Sequence, residues 1–134
     1  MQETLLDTDT ISLFLRSQPS VMTEAGNYLK FYQGFTFSII SRFEVLRGLK
    51  IKNAQIQIAK FERISSISRV VNLNDAIILR ASDIYADLYK HGQIIGDADI
   101  LIAATALENN LPIITNNEKH FNRISGLQIL NWNK

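Results

Sequence analysis

The sequence has no cysteine, only two prolines and almost no net charge, and each shortage excludes a class of protein. Without cysteine there is no disulfide framework and no thiolate metal site, so a reducing, cytoplasmic location is expected. A net charge of +1 gives no bulk attraction for nucleic acid, so any such role must depend on local sites. The longest apolar runs, such as ILIAA at 100–104, are far shorter than the roughly 20 residues that span a bilayer. Neither a membrane partner nor export is expected.

The residues that are present are typical of one globular domain. The chain has 134 residues, 46% of them hydrophobic and 20% charged, which excludes a disordered chain. No internal repeat and no linker rich in Gly, Ser and Pro divides it. We therefore expect a single domain that covers residues 1–134 and contains one core.

Short segments rich in β-branched and aromatic residues alternate with longer helical patterns. The predicted strands are 4–6, 35–40, 70–73, 112–115 and 127–130, and the predicted helices are 9–32, 41–67, 75–91, 98–110 and 117–123. Strands separated by helices indicate a parallel sheet that is covered on both faces. With right-handed crossovers, this predicts an α/β fold: a three-layer α/β/α sandwich around a parallel sheet of four to five strands.

Ligands of such sheets bind beyond the carboxyl ends of the strands. The residues that follow the predicted strands are acids, amides and one serine: Asp7, Ser41, Asn74, Asp75, Asn116 and Asn117. The sequence therefore predicts an acidic and amide-rich edge.

Two acids lie at the first of these strand ends, in the motif DTDT at 7–10. Capping of the following helix is the simpler interpretation of Asp7 or Asp9 taken alone, since Asp and Thr accept hydrogen bonds from free backbone N–H groups. The motif offers four capping side chains where one suffices. The excess indicates another role.

Glu44 shares a helical face with Ile40 and Ile51 and therefore points with apolar residues. A buried carboxylate requires a partner, a proton or a metal ion. An ion pair with Arg42 or Arg47 is as plausible from the sequence as a metal ion.

Asp97 and Asp99 precede an apolar helix, and their positions give them different roles. The residues at helical spacing after Asp99 are all apolar: Ile102, Ala103, Ala106 and Leu107. Asp99 therefore heads the buried face. Asp97 is offset around the helix and is predicted to be the N-cap or an acid of the first turn.

The three acids Asp7, Glu44 and Asp99 are expected to cluster. Two carboxylates about 4 Å apart repel by about 4 kcal/mol at an effective dielectric constant of about 20, so the cluster requires a cation. Oxygen ligands favour Mg²⁺ or Mn²⁺. His91 and His120 are interpreted as surface or packing residues and not as ligands. This site chemistry indicates phosphoryl or phosphodiester transfer.

Three motifs resemble the PIN-domain ribonucleases, and among them the VapC-type toxins of toxin–antitoxin pairs. LLDTDTIS at 5–12 is similar to the first strand and first acid of the family. SIISRFEVLRG at 38–48 is similar to the family's helix that carries the second acid. The most specific match is IGDADILIAATALENNLPIITNNEKHFNRISGLQILNW at 95–132. Together the motifs extend over nearly the whole chain.

The resemblance implies Mg²⁺-dependent cleavage of RNA that leaves a 5′-phosphate and a 3′-hydroxyl, with Mn²⁺ as a substitute. Asp7, Glu44 and Asp99 are the implied catalytic and metal-binding residues, and the metal ion would generate hydroxide and stabilise the transition state. Many relatives carry a fourth acid where this chain has Asn117, which puts a second ion in doubt; Asp97 and Asn117 are further candidate ligands.

The resemblance also implies three partners: RNA, a second copy of the chain in a homodimer, and a cognate antitoxin that places an arginine against the carboxylates. The candidate substrate contacts are Thr8, Ser41, Arg42, Arg47 and Asn116. For the two arginines, contact with RNA phosphates and a merely solvated helix face are equally open.

Two other functions compete with the nuclease. LLDTDTIS also fits a haloacid-dehalogenase-like phosphatase, with Asp7 as nucleophile and Asp9 as acid and base. That interpretation gives Glu44 no role, and QIIG at 93–96 is too short for the strand that it needs. The second alternative is a non-catalytic PIN domain that binds RNA.

Overall fold

Five short strands and seven helices alternate along the chain in the computed structural model, which describes residues 1–134. The strands are β1 Leu5–Leu6, β2 Thr36–Ser38, β3 Arg69–Val71, β4 Ile113–Ile114 and β5 Ile129–Leu130. The helices are α1 Thr8–Leu15, α2 Pro19–Tyr28, α3 Ile39–Ile51, α4 Gln55–Ile67, α5 Asp75–Lys90, α6 Asp97–Glu108 and α7 Glu118–Phe121. No helix is both long enough and apolar enough to cross a membrane. The predicted α/β alternation is confirmed.

All strand pairs are parallel, and the strands form two ladders. One ladder has the order β1-β4-β5 and the other joins β2 to β3, with β2 beside β1. Leu5 lies opposite Ile113 and packs in one core, whereas Leu6 lies opposite Ile114 and packs in a second core. Because successive side chains of a strand point to opposite faces, the sheet has an apolar core on each side. This is the predicted three-layer arrangement.

The prediction of single helices at 9–32 and 41–67 is wrong, because each region contains two helices. Ser17 and Asn53 have φ angles of 59° and 54°, a left-handed conformation that ends a helix. Pro19 then occupies the first position of α2, where its missing N–H costs no hydrogen bond. The two breaks turn α2 and α4 back against their neighbours.

The strand predicted at 35–40 is also too long. The side chain of Ser38 accepts a hydrogen bond from the backbone N–H of Ile40 and caps α3, so Ile39 and Ile40 are helical. As a result α3 begins directly at the carboxyl end of β2. The prediction that Glu44 shares a buried helical face with Ile40 and Ile51 is wrong for Ile51, which is 83% exposed.

Candidate active site

Asp7 lies at the carboxyl end of β1 and is the most buried acid of the predicted site, with 4% of its surface exposed. Its Oδ1 accepts a hydrogen bond of 2.8 Å from the backbone N–H of Thr8 and thereby caps α1. The hydroxyl of Thr115, just past β4, donates to Oδ2 at 2.8 Å. Two adjacent strand ends therefore hold this carboxyl group.

The pKa of Asp7 is raised to about 8, first by burial and then by the negative charge of Asp9. The hydrogen bonds from Thr115 and Thr8 oppose the rise, and the charge of Asp99 adds to it. Ionisation of Asp7 is therefore unfavourable at neutral pH unless a positive charge arrives.

Asp9 belongs to the same site and was missed as a site residue by the sequence pattern. Its two carboxylate oxygens accept from the backbone N–H of Asn116 at 3.3 and 3.2 Å. Burial raises its pKa. The only advance signal was the excess of capping side chains in DTDT, since a contact with Asn116 lies 107 positions away.

Glu44 lies one turn into α3 and meets α1 through Thr8. The Thr8 hydroxyl is 2.6 Å from Glu44 Oε1 and 3.1 Å from the hydroxyl of Ser41. Arg47 is 3.6 Å from the other carboxylate oxygen of Glu44, a loose ion pair. The fold thus brings Thr8, Ser41 and Glu44 together.

Asp99 lies in the first turn of α6 with 24% of its side chain exposed, and it contacts His120 of α7. The Nδ1 atom of His120 is 3.2 Å from Asp99 Oδ2 and 2.8 Å from the side-chain nitrogen of Asn117. His120 is 41% exposed, in agreement with its interpretation as a surface residue, but its contact with Asp99 places it at the edge of the site. The one indication in the sequence is that His120 follows Asn117 by three residues in the helix predicted at 117–123.

Three other predicted residues are directed elsewhere. Asp97 is exposed and is the first residue of α6. Because the N-cap is Gly96, the prediction of Asp97 as the N-cap is wrong, and its prediction as an acid of the first turn is confirmed. Arg42 donates two hydrogen bonds to Glu62, at 2.6 and 3.2 Å. The side-chain oxygen of Asn116 accepts weakly from Asn131 and Asn133 at 3.4 Å.

The donor set fits a hard cation bound through one or two carboxylates. Neither Asp7 nor Asp9 lies within salt-bridge distance of a basic side chain, so no positive charge of the protein favours their ionised forms. No three His, Cys, Asp or Glu side chains lie close enough to hold a metal ion together, so the expected tight cluster of Asp7, Glu44 and Asp99 is not formed. Mg²⁺ does not require such a cluster, because waters and substrate usually complete its octahedron.

Comparison with known proteins identifies the family. Residues 4–127 match the family described as PIN domain, which is nearly the whole chain. The chain therefore belongs to the PIN domain family. Within the family, its sequence is similar to proteins named ribonuclease VapC.

The VapC relatives cover most or all of the chain. Ribonuclease VapC1 of Methanocaldococcus jannaschii is 38% identical over 98 residues, 72% of this chain and 70% of that protein. Ribonuclease VapC1 of Haemophilus influenzae is 30% identical over 97% of this chain and 98% of its own length. The tRNA(fMet)-specific endonuclease VapC of Shigella flexneri is 28% identical over 98% of this chain and 99% of that protein.

Solved structures agree with this relationship. The structure of VapBC2 from Rickettsia felis bound to a promoter DNA fragment contains a chain with a TM-score of 0.87, 25% identity and coverage of 98% of this chain and 99% of that one. The structure of DNA-bound VapBC from Salmonella typhimurium contains a chain with a TM-score of 0.86 and 27% identity, with the same coverage.

The phosphatase alternative is wrong, because residues 93–96 do not form the strand that it needs.

Proposed function

We propose that this protein is a metal-dependent endoribonuclease and the toxin of a toxin–antitoxin pair. The observation that carries the proposal is the buried Asp7 carboxyl group, which lies beside Asp9 and within electrostatic reach of Asp99 with no basic side chain opposite it. Such a group favours a divalent cation. Relatives named ribonuclease VapC and tRNA(fMet)-specific endonuclease VapC support RNA as the substrate.

Asp7, Glu44 and Asp99 would hold Mg²⁺ or Mn²⁺ through one or two direct carboxylate contacts with water molecules between, and Asn117 is a further candidate ligand. When bound, the ion would supply Lewis acidity, lowering the pKa of a water molecule and neutralising charge on the phosphodiester.

The protein contributes orientation to this chemistry. Thr115 and the N–H of Thr8 direct the Asp7 carboxyl group, and the Thr8 hydroxyl directs Glu44. Arg47 lies 5.1 Å over the ring of Phe43 at the exposed side of α3, where its guanidinium can meet an RNA phosphate.

Removal of divalent cations is expected to stop RNA cleavage. Purified protein should cleave a mixture of transfer, ribosomal and messenger RNA in Mg²⁺, lose the activity in EDTA, and regain it with excess Mg²⁺ or Mn²⁺. The control is the same protein kept folded in EDTA, checked by circular dichroism. Cleavage that persists in the chelator would refute metal dependence, and RNA binding without any cleavage would favour a non-catalytic PIN domain.

The proposal includes an antitoxin and a second copy of the chain as partners. The solved VapBC complexes support the antitoxin as a partner, and the second copy remains a prediction. Expression of the chain alone should arrest growth, and co-expression with the small protein of the neighbouring gene should restore growth and yield a complex. The isolated toxin should have the mass of a dimer in solution. Absence of a complex would remove the toxin assignment and leave the nuclease intact.

A further inference from the structure

Asp99 is contacted by one residue from a different element. His120 of the one-turn helix α7 meets Asp99 Oδ2, and the side chain of Asn117, the residue before α7, contacts His120. Phe121, next to His120, is fully buried and anchors α7 in the core that also contains Ile100 and Ile102 of α6. The ring of His120 is therefore fixed relative to α6 although it is partly exposed.

We propose that His120 is a positioning residue of the acidic site, which holds one oxygen of Asp99 and leaves the other oxygen for a divalent cation. The proposal rests on the proposed function. It assigns to His120 no direct contact with the cation or with RNA.

The hydrogen-bonding chemistry supports this role. Asp99 Oδ2 is an acceptor, so Nδ1 of His120 must carry the hydrogen that it donates at 3.2 Å. The Asn117 atom that lies 2.8 Å from the same Nδ1 is its amide nitrogen, a donor, so this contact fits an Nδ1–H only when the Asn117 amide is turned to bring its oxygen to the ring. One N–H is then shared between two acceptors, which fixes the tautomer and the orientation of the ring.

The same segment also connects Asp99 to Asp7. The backbone N–H of Asn117 donates to the hydroxyl of Thr115 at 2.9 Å, and that hydroxyl donates to Asp7 at 2.8 Å. Residues 115–120 thus hydrogen-bond to both acids. The spacing of the two carboxyl groups, and with it the affinity for a cation, depends on this segment.

Substitution of His120 tests the proposal through Mn²⁺ affinity, measured by isothermal titration calorimetry without RNA. His120→Ala should weaken Mn²⁺ binding by roughly 10- to 100-fold, the usual effect of losing a partner that orients a ligand. His120→Asn should restore most of the affinity, because an asparagine amide places a polar atom where Nδ1 lies. His120→Gln places its amide further out and should not restore it.

His91→Ala is the matched control, since His91 is the other histidine and contacts Asp87 at 3.5 Å near the end of α5. It should bind Mn²⁺ as the wild type does. At saturating Mn²⁺ the His120→Ala enzyme should keep the wild-type KM for RNA and lose mainly kcat. The melting temperature of each variant separates loss of affinity from loss of fold.

Wild-type Mn²⁺ affinity in a folded His120→Ala protein would overturn the proposal, and so would equal weakening by His120→Asn and His120→Ala. If wild-type protein binds Mn²⁺ but cleaves no RNA, the ribonuclease proposal fails, and the Mn²⁺ affinities of the variants still decide the role of His120. A wild type that binds no Mn²⁺ overturns this proposal together with the metal site.

Discussion

Asp7→Asn is expected to eliminate RNA cleavage and to stabilise the metal-free protein at alkaline pH. The rate should fall by at least about 100-fold, since loss of a ligand exceeds the effect of losing a residue that only orients one. Folding should be preserved because the amide keeps an acceptor for the N–H of Thr8 and remains close to the Thr115 hydroxyl. The variant is tested for cleavage and for thermal unfolding on the same preparation.

The pH dependence follows from the raised pKa of Asp7. With a pKa of about 8 in the folded protein and about 4 in the unfolded chain, the folded state binds the extra proton between these values. Stability from this group is therefore complete below about pH 4, decreases as the pH rises, and is lost above about pH 8.

In EDTA, the melting temperature of the wild type should fall between pH 5 and pH 8.5, and that of Asp7→Asn should fall much less. Mg²⁺ should stabilise the wild type more at pH 8 than at pH 5, because it binds the ionised form. Asp83→Asn, on the exposed side of α5, is the control and should follow the wild type. A wild-type melting temperature that rises over this interval, or identical curves for Asp7→Asn, would contradict the assignment.

The second large effect is expected from Asp99→Asn and not from Asp97→Asn. Asp99 is partly buried against His120, whereas Asp97 is exposed in the first turn of α6. Asp99→Asn should therefore remove nearly all cleavage and leave the fold intact, or slightly more stable as repulsion from Asp7 is relieved. Asp97→Asn should lower stability by no more than about 1 kcal/mol, the usual size of a charge–helix dipole interaction.

Cleavage rates of the two variants over a Mg²⁺ titration show which aspartate binds the metal ion. Urea unfolding measures the stability of each variant. Asp97 provides the matched control for Asp99, since both are aspartates of the same helical turn. An inactive Asp97→Asn enzyme beside an active Asp99→Asn enzyme would show that the wrong face of α6 has been assigned to the site.

The sequence predicted the parts of the site that depend on regular geometry. Asp7 and Asn117 were located because they follow short apolar strands, and Asp99 because it heads a stripe of apolar residues on α6. These patterns repeat along the chain and therefore leave a signal in it.

Features that depend on single residues or distant contacts could not be predicted in the same way. The helix breaks rest on one left-handed residue each, Ser17 and Asn53, and serine gives little warning of that conformation. Asp9 and His120 have their partners 107 and 21 positions away, so local patterns showed only a capping acid and a polar surface residue. Tertiary packing alone brings them to the site.

The chemistry of the cleaved RNA ends is the most direct test of metal-assisted hydrolysis at this site. RNA cleaved by the wild type with Mg²⁺ in oxygen-18 water should carry a 3′-hydroxyl and a 5′-phosphate that contains oxygen-18, detected by mass spectrometry, because water attacks the phosphorus. Asp7→Asn protein prepared in parallel should produce no such ends. Cyclic 2′,3′-phosphate ends without oxygen-18, or cleavage that Asp7→Asn retains in EDTA, would contradict metal-assisted hydrolysis at this acidic edge.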